Sequence, residues 1–232
     1  KYLYGPDYGY RTGINKTMLS HVCRVAKNLS KKAKVKKNDF VLDIASNDGS
    51  LLNFYKKDVK TFGIDPILEK YKEEFKNINF KIADFFSANK IIKFTKKKFK
   101  VITALSVFYD AADPNKFIKD VKKLLSQDGI FLLEFADLAS IIQNKMFDTI
   151  CHEHLEYYSS KVIIDLCAKY NLRVFDIKKN EINGASKQFF ICHKKSSYKS
   201  NNKIISNVIN FEKKLKLSDE ITFKNFISVI NQ

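Results

Sequence analysis

Short apolar runs alternate with segments of helical periodicity between residues 40 and 135. The runs are rich in β-branched and aromatic residues and predict strands at 40–45, 60–65, 78–83, 100–105 and 130–135. Between them, apolar positions that recur every three or four residues predict helices at about 50–57, 67–76, 87–95 and 114–125. Asp113 and Pro114 suit the start of the last helix, and Gln127-Asp128-Gly129 suits a turn into the fifth strand. Repeated strand–helix–strand units require a parallel sheet with helices on both faces.

The flanking regions extend this pattern. Residues 14–29 have the apolar spacing of an amphipathic helix, which ends in the basic connector 30–37. Residues 136–159 read as irregular or short-helical, 160–170 as a helix, and 172–178 and 187–193 as strands joined by a turn at 180–185. The sequence therefore predicts an α/β fold with a seven-stranded, mostly parallel sheet whose last strand is antiparallel. We expect residues 1–37 to cover the active site of the protein and residues 38–195 to form the main domain. Residues 196–232 should add a polar linker and one or two helices.

Composition narrows the class of protein. At 232 residues and 45% hydrophobic, the chain can bury a full core. It has no apolar run of about 18 residues, so the sequence predicts no transmembrane helix, and its first residues lack a signal-peptide core. Its four cysteines lie far apart without a Cys-x-x-Cys pair, which fits reduced thiols in a cytoplasmic protein.

The net charge of +17 is compatible with nucleic acid, an anionic membrane surface or an anionic small substrate. Lysine, asparagine and isoleucine are abundant throughout, however, which also fits a general composition bias. The lysine pairs are dispersed and mostly lie near the ends of predicted elements, which favours solvated faces over a nucleic-acid footprint. We therefore expect a small-molecule substrate, no membrane partner and no nucleic acid; the sequence does not indicate an oligomeric state.

Polar side chains gather where the predicted strands end. A dinucleotide would need several glycines after the first strand, where only Gly49 is present, whereas S-adenosylmethionine brings no phosphate to this loop. Asp65 suits the cofactor's ribose, and Asp84 and Phe85 suit its adenine. Structural interpretations remain: Asp43 as a turn cap, Asp65 as a helix N-cap, Phe85 as core. The predicted cofactor-binding residues are Asp43, Ala45, Ser46, Asn47, Asp48, Gly49, Asp65, Pro66, Asp84, Phe85 and Ser106.

Residues 41–52, Val-Leu-Asp-Ile-Ala-Ser-Asn-Asp-Gly-Ser-Leu-Leu, resemble the cofactor motif of class I S-adenosylmethionine-dependent methyltransferases, in the version found in the sugar C-methyltransferase family. Members of that family act on nucleotide-linked keto sugars. The resemblance implies a Rossmann-like fold, S-adenosylmethionine as cofactor and methyl transfer to carbon.

A second cluster, residues 148–159, places two of the four histidines within three residues, as His152-Glu153-His154. Three interpretations are open: a metal site, a structural histidine pair, or general acid–base catalysis. No HExxH spacing or further ligand set supports a metal. For acid–base work, histidine is suited to removing a proton beside a ketone, a carboxylate can orient the ring, and a tyrosine or second histidine can stabilise the enolate oxygen.

The same segment resembles the His-Glu-His-Leu-x-Tyr-Tyr-Ser motif of the sugar C-methyltransferases. This resemblance implies that His154 is the general base and Glu153 its supporting acid, with His152 a further catalytic candidate. Cys151 departs from the tyrosine found at this position in the family, which affects the expected substrate more than the reaction. Residues 8–13 resemble the family's aromatic segment, in which Tyr10 is the matching active-site tyrosine.

Other parts match less well. Asn183-Gly184-Ala185-Ser186 resembles a Gly-Gly-Ser turn of the family, with Ala185 replacing a glycine, and Gln188 stands where arginine is common. The family's N-terminal zinc-binding module and most of its C-terminal domain have no counterpart here, so we expect a fragment or a short relative. The leading hypothesis is a C-methyltransferase of nucleotide-linked keto sugars. The alternatives are methylation of nitrogen or oxygen on another small molecule or RNA, and a non-catalytic cofactor-binding subunit.

Overall fold

The computed structural model describes residues 8–70 and 78–230 and contains a seven-stranded sheet. The strand order is β3-β2-β1-β4-β5-β7-β6, and β7 runs antiparallel to both β5 and β6. The predicted seven-stranded, mostly parallel sheet is therefore confirmed. The strands are β1 (Phe40–Ile44), β2 (Lys60–Ile64), β3 (Phe80–Ile82), β4 (Phe99–Leu105), β5 (Leu125–Phe135), β6 (Leu172–Asn180) and β7 (Ser186–His193).

Seven α-helices are described on or beside this sheet, and several match their predicted spans. Asp113 caps α3 by accepting a hydrogen bond from the Lys116 N–H at 2.8 Å, as its position before Pro114 predicts. The helices are α1 (Lys16–Lys32), α2 (Ala88–Ile92), α3 (Pro114–Leu124), α4 (Leu138–Asn144), α5 (Ser160–Lys169), α6 (Asn202–Lys214) and α7 (Glu220–Ile230).

The structure differs from the helices predicted after β1 and β2. The predicted helix at 50–57 is only a 3-10 turn, Leu52–Phe54, because Leu51, Leu52 and Tyr55 bury against α1, which covers this part of the sheet. The prediction at 67–76 is replaced at its start by the 3-10 turn Pro66–Glu69, and residues 71–77 lie outside the described residues.

The predicted turn at Gln127-Asp128-Gly129 is wrong, because β5 already begins at Leu125. The pairing with β4 passes from Phe99 opposite Leu125 to Val101 opposite Ile130, so the extra residues form a bulge within the strand. Gly129 permits this, since a Cβ there would lie 2.8 Å from the Phe99 carbonyl oxygen. Residues 127–129, which are of types common in turns, therefore lie inside β5.

The sheet separates two apolar layers. One contains Leu42, Phe62, Phe131 and residues from α3 and α5, and the other contains α1, Val41, Val101 and Phe190. Burial on both sides explains why the central strands are continuously apolar. Among the helices of the described ranges, none is long and apolar enough to cross a bilayer.

Candidate functional site

A cavity of about 930 Å³ lies at the carboxyl ends of β1, β2 and β4. Strand order reverses between β1 and β4, which is where ligands bind in open α/β sheets. Most predicted site residues line this cavity, whereas Asp48, Gly49 and His154 are not part of its lining. Those that line it are Tyr10, Asp43, Ala45, Ser46, Asn47, Asp65, Pro66, Asp84, Phe85, Ser106, His152 and Glu153.

The loop after β1 contains three residues in the left-handed backbone conformation, which most residues avoid. Ala45 and Asn47 have φ angles of 55° and 50°, and Gly49 has 72°. Left-handed backbone costs a non-glycine residue about 1 kcal/mol or more and is concentrated at functional sites. Ser46, between Ala45 and Asn47, lines the cavity. Its Oγ is buried and has no hydrogen-bond partner among the described residues. The loop thus offers the cavity a polar atom that a ligand can satisfy.

Asp65 fixes this loop from the end of β2. Its Oδ2 accepts the Asn47 N–H at 2.9 Å, and its Oδ1 accepts the Ile67 N–H at 3.0 Å. The second bond caps the 3-10 turn that follows, so the structural interpretation of Asp65 as an N-cap is confirmed. Burial raises the pKa of Asp65 against the effect of these bonds. Because an ionised carboxylate has about four acceptor positions, two N–H donors leave it able to bind a ligand hydroxyl.

Asp43 is the other buried carboxyl at this edge. Thr103, on β4, donates its Oγ1–H to Asp43 Oδ1 at 2.5 Å. Burial first, and then the nearby Asp65, raise the pKa of Asp43 to about 7. The site therefore holds a carboxyl group that titrates near neutral pH and would be held ionised by a cation.

The adenine side of the predicted pocket is more open. Asp84 and Lys90 form an ion pair at 2.6 Å with both side chains substantially exposed, and Phe85 is 38% exposed. The core interpretation of Phe85 is therefore wrong, and this residue lines the cavity. Ser106, with a φ of 52°, accepts a hydrogen bond from Asn183 Nδ2 on its Oγ at 3.1 Å.

The segment before α1 lies against the loop that follows β1. Asn47 donates its Nδ2–H to the Tyr10 carbonyl and accepts the Thr12 N–H, both at 2.9 Å. Asp48 accepts the Gly13 N–H at 2.7 Å. Asp48 thus contributes to the site indirectly, by tying residues 10–13 over the loop. Tyr10 and Tyr8 line the cavity, and burial raises the pKa of both hydroxyls, so they are protonated donors at neutral pH.

The second sequence cluster returns to the same cavity, about a hundred residues later in the chain. His152 and Glu153 line it, but His154 does not; the His154 ring centroid lies 4.0 Å from that of Tyr109, which also lines the cavity. The Thr149 carbonyl is 2.9 Å from His154 Nδ1, which places the proton on Nδ1 and leaves Nε2 as an acceptor. Burial lowers the pKa of His154 below 6.5, so its ring is neutral at pH 7. No metal-binding group of three or more acidic, His or Cys side chains occurs in the described ranges.

Several residues of the site were not identified from the sequence. Thr103 and Tyr109 lie within or beside strand-end segments without a distinguishing motif, and nothing local indicates their contacts. Asn183 lies in the turn that resembles the family's Gly-Gly-Ser, so that resemblance could have pointed to it. Gln188 lies outside the cavity lining and donates to Glu134, which also pairs with His21 at 2.7 Å.

Comparison of the sequence with known proteins places this chain in a family. The sequence model described as "Methyltransferase domain" matches residues 14–177, well over half of the chain. The C-methyltransferase NovU of Streptomyces niveus is 31% identical over 87 residues, which make up 38% of this chain. The matched stretch spans only 21% of the length of that relative.

Solved structures share the fold at low identity. A chain from the complex between the Haloferax volcanii Trm112 methyltransferase activator and a methyltransferase has a TM-score of 0.59 at 14% identity, over 78% of this chain and 94% of that one. Magnesium protoporphyrin IX methyltransferase ChlM from Synechocystis PCC 6803, with bound SAH, has a TM-score of 0.56 at 14% identity, over 80% of this chain and 90% of that one. These two likenesses concern the fold.

Proposed function

This chain belongs to the methyltransferase-domain family, and from that premise we propose that it methylates a carbon of a nucleotide-linked keto sugar through an enolate. The methyl donor is S-adenosylmethionine. The observation that carries the proposal is that His152 and Glu153 reach the cavity that the loop after β1 also lines. The two residues that precede the proposed base and the proposed cofactor loop therefore line one cavity.

The residues at the strand ends fit the cofactor. The orphaned Ser46 Oγ and the loop around it meet the amino-acid moiety in our proposal, while Asp65 accepts the ribose hydroxyls. Asp43 is proposed to balance the cofactor's positive charge. When bound, the cofactor supplies an activated methyl group, so the protein's task is to position the acceptor and remove its proton.

On the acceptor side, we propose His154 as the base and Glu153 as the carboxylate that favours its imidazolium. The neutral ring and its acceptor Nε2 support this role. Tyr109 lines the cavity and its ring contacts the His154 ring, so its side chain is proposed to guide the acceptor to His154. His152 and the protonated hydroxyl of Tyr10 are proposed to donate to the enolate oxygen.

The charge of the cavity bears on the acceptor. Seven carboxylates and one lysine are found among the described lining residues, and that lysine, Lys116, pairs with Asp120 at 2.5 Å. The net charge of +17 therefore resides elsewhere on the surface. An acidic cavity disfavours a polyanion such as RNA. In our proposal the diphosphate of a nucleotide sugar therefore stays outside the cavity, and the uncharged sugar enters it. The carboxylates are Asp43, Asp65, Asp84, Asp110, Asp113, Asp120 and Glu153.

The test follows the acceptor proton. The protein is incubated in D₂O with a thymidine-diphosphate-linked keto hexose, with and without S-adenosylmethionine. NMR measures deuterium exchange beside the ketone, and mass spectrometry measures methyl transfer. His154→Gln is expected to slow both by about 10²–10⁴-fold. His152→Gln should retain exchange, because the base is unchanged and the glutamine amide still offers an N–H donor to the enolate oxygen.

Two results would count against the proposal. If His154→Gln exchanges at the native rate while His152→Gln does not, the base is assigned to the wrong ring. If the native protein neither exchanges nor methylates any nucleotide-linked keto hexose yet methylates nitrogen or oxygen of another small molecule, the proposed acceptor is wrong.

A further inference from the structure

The segment that carries His152, Glu153 and His154 is closed at its base by buried polar contacts. It leaves the sheet at Asp137, just after β5, and ends at Ser160, where α5 begins. Ser160 donates its Oγ–H to Asp137 Oδ2 at 3.3 Å, and the Leu138 N–H donates to the Tyr158 carbonyl at 2.9 Å. The two ends of a long, partly irregular segment are thereby held together.

Lys187 reaches this closure from β7, where it lies opposite Phe135 of β5. Its Nζ donates to Asp137 Oδ2 at 2.5 Å and to Ser160 Oγ at 3.1 Å, and its side chain is only 1% exposed. A lysine buried to this extent is tolerated only where its charge is paired and its donors are bonded. Both ends of the segment therefore depend on one buried ammonium group.

Glu212 completes the closure from α6, the first of the C-terminal helices. Its Oε1 accepts the Ser160 N–H at 2.6 Å, and its Oε2 accepts the Lys161 N–H at 3.0 Å. Oε1 also lies 3.8 Å from Lys187 Nζ. A carboxylate from another helix thus satisfies free N–H groups at the start of α5, where a negative charge is favourable. We call Asp137, Ser160, Lys187 and Glu212 the clamp.

We propose that Lys187 and Glu212 are positioning residues for the segment between Asp137 and Ser160, so that α6 helps to set the geometry of the acceptor site. This rests on the proposed function, in which residues 152–154 act on the acceptor. Neither residue lines the main cavity, and both act through the two ends of the segment. The cofactor loop leaves a different strand and is held by Asp65, so disturbing the clamp should spare cofactor binding.

Glu212→Gln tests this role with little change in shape. The glutamine oxygen can accept one N–H, but its amide group then faces the other N–H donor, and the charge beside Lys187 is lost. We expect amide hydrogen exchange in residues 138–159 to accelerate about tenfold or more, while residues 41–52 exchange at the native rate. On the thymidine-diphosphate-linked keto hexose, kcat should fall about tenfold or more, with the S-adenosylmethionine Kd within about twofold of native.

Glu220→Gln is the matched control, because Glu220 is an exposed residue of α7 whose partner is Lys224. Glu212→Asp retains the charge with a shorter reach; it should show the same effects more weakly and replaces Glu212→Gln if that variant does not fold. Native exchange rates in residues 138–159 of a folded Glu212 variant, or equal losses of cofactor affinity and kcat, would overturn the proposal. If the native protein does not methylate the keto hexose, that result counts against the proposed function. The amide hydrogen exchange of residues 138–159 still decides the role of the clamp.

Discussion

Asp43 is expected to couple cofactor binding to pH. Its carboxyl group is buried at the end of β1, where burial chiefly, and Asp65 in addition, raise its pKa to about 7. In the protein without ligand this group is therefore mostly protonated below pH 7. S-adenosylmethionine carries an ammonium and a sulfonium, which favour the ionised carboxylate. Binding below pH 7 should accordingly release a proton from Asp43.

The magnitude follows from this titration. Affinity for S-adenosylmethionine should rise up to about tenfold per pH unit between about pH 5 and pH 7, then level off. The unliganded protein should show the opposite trend in stability, because its folded-state pKa lies above the ordinary value of 3.8. Stability from this group is complete below about pH 4 and is lost as the pH rises through about 7. The difference between the two pKa values corresponds to about 4 kcal/mol.

Isothermal titration calorimetry in two buffers of different ionisation enthalpy measures the released proton directly. Asp43→Asn keeps an acceptor for Thr103 but cannot ionise, so proton release should disappear and the pH dependence of unfolding should flatten. Asp58→Asn, at an exposed carboxylate shortly before β2, is the matched control. Undiminished proton release in Asp43→Asn would refute the assignment to this carboxyl.

Two further substitutions test the contacts around the cavity. A Cβ at Gly13 would lie 2.8 Å from Asp48 Oδ2, whereas one at Gly9 would meet nothing within 4 Å. Gly13→Ala should therefore displace residues 10–13 and weaken S-adenosylmethionine binding about tenfold by calorimetry, with Gly9→Ala close to native; equal affinities would contradict this. Asn183→Ala removes the hydrogen bond to Ser106 and should lower the free energy of unfolding by about 0.5–1.5 kcal/mol. If the turn also shapes the acceptor site, KM for the keto hexose should rise in the same variant, and an unchanged KM would limit Asn183 to a structural role.

Much of the fold follows from local signals. Strand positions and the Asp113 cap could be predicted because apolar periodicity and cap residues act over a few neighbouring positions. The antiparallel last strand could be predicted because only a short turn joins it to β6. Local patterns failed where packing supplied the missing energy. Leu51, Leu52 and Tyr55 bury against α1 without forming a full helix, and the residues around Gly129 fit within β5 as a bulge.

The sequence by itself determined which side chains are available at the strand ends. Parallel strands bring their carboxyl ends to one edge, and the types and spacing of Asp43, Asp65 and residues 152–154 marked them as candidate site residues. Only the tertiary structure decided that His152 and Glu153 line the cavity while His154 does not and packs against Tyr109. It also brought Glu212 to the start of α5. These placements depend on contacts between residues far apart in the chain, for which no local pattern carries a signal.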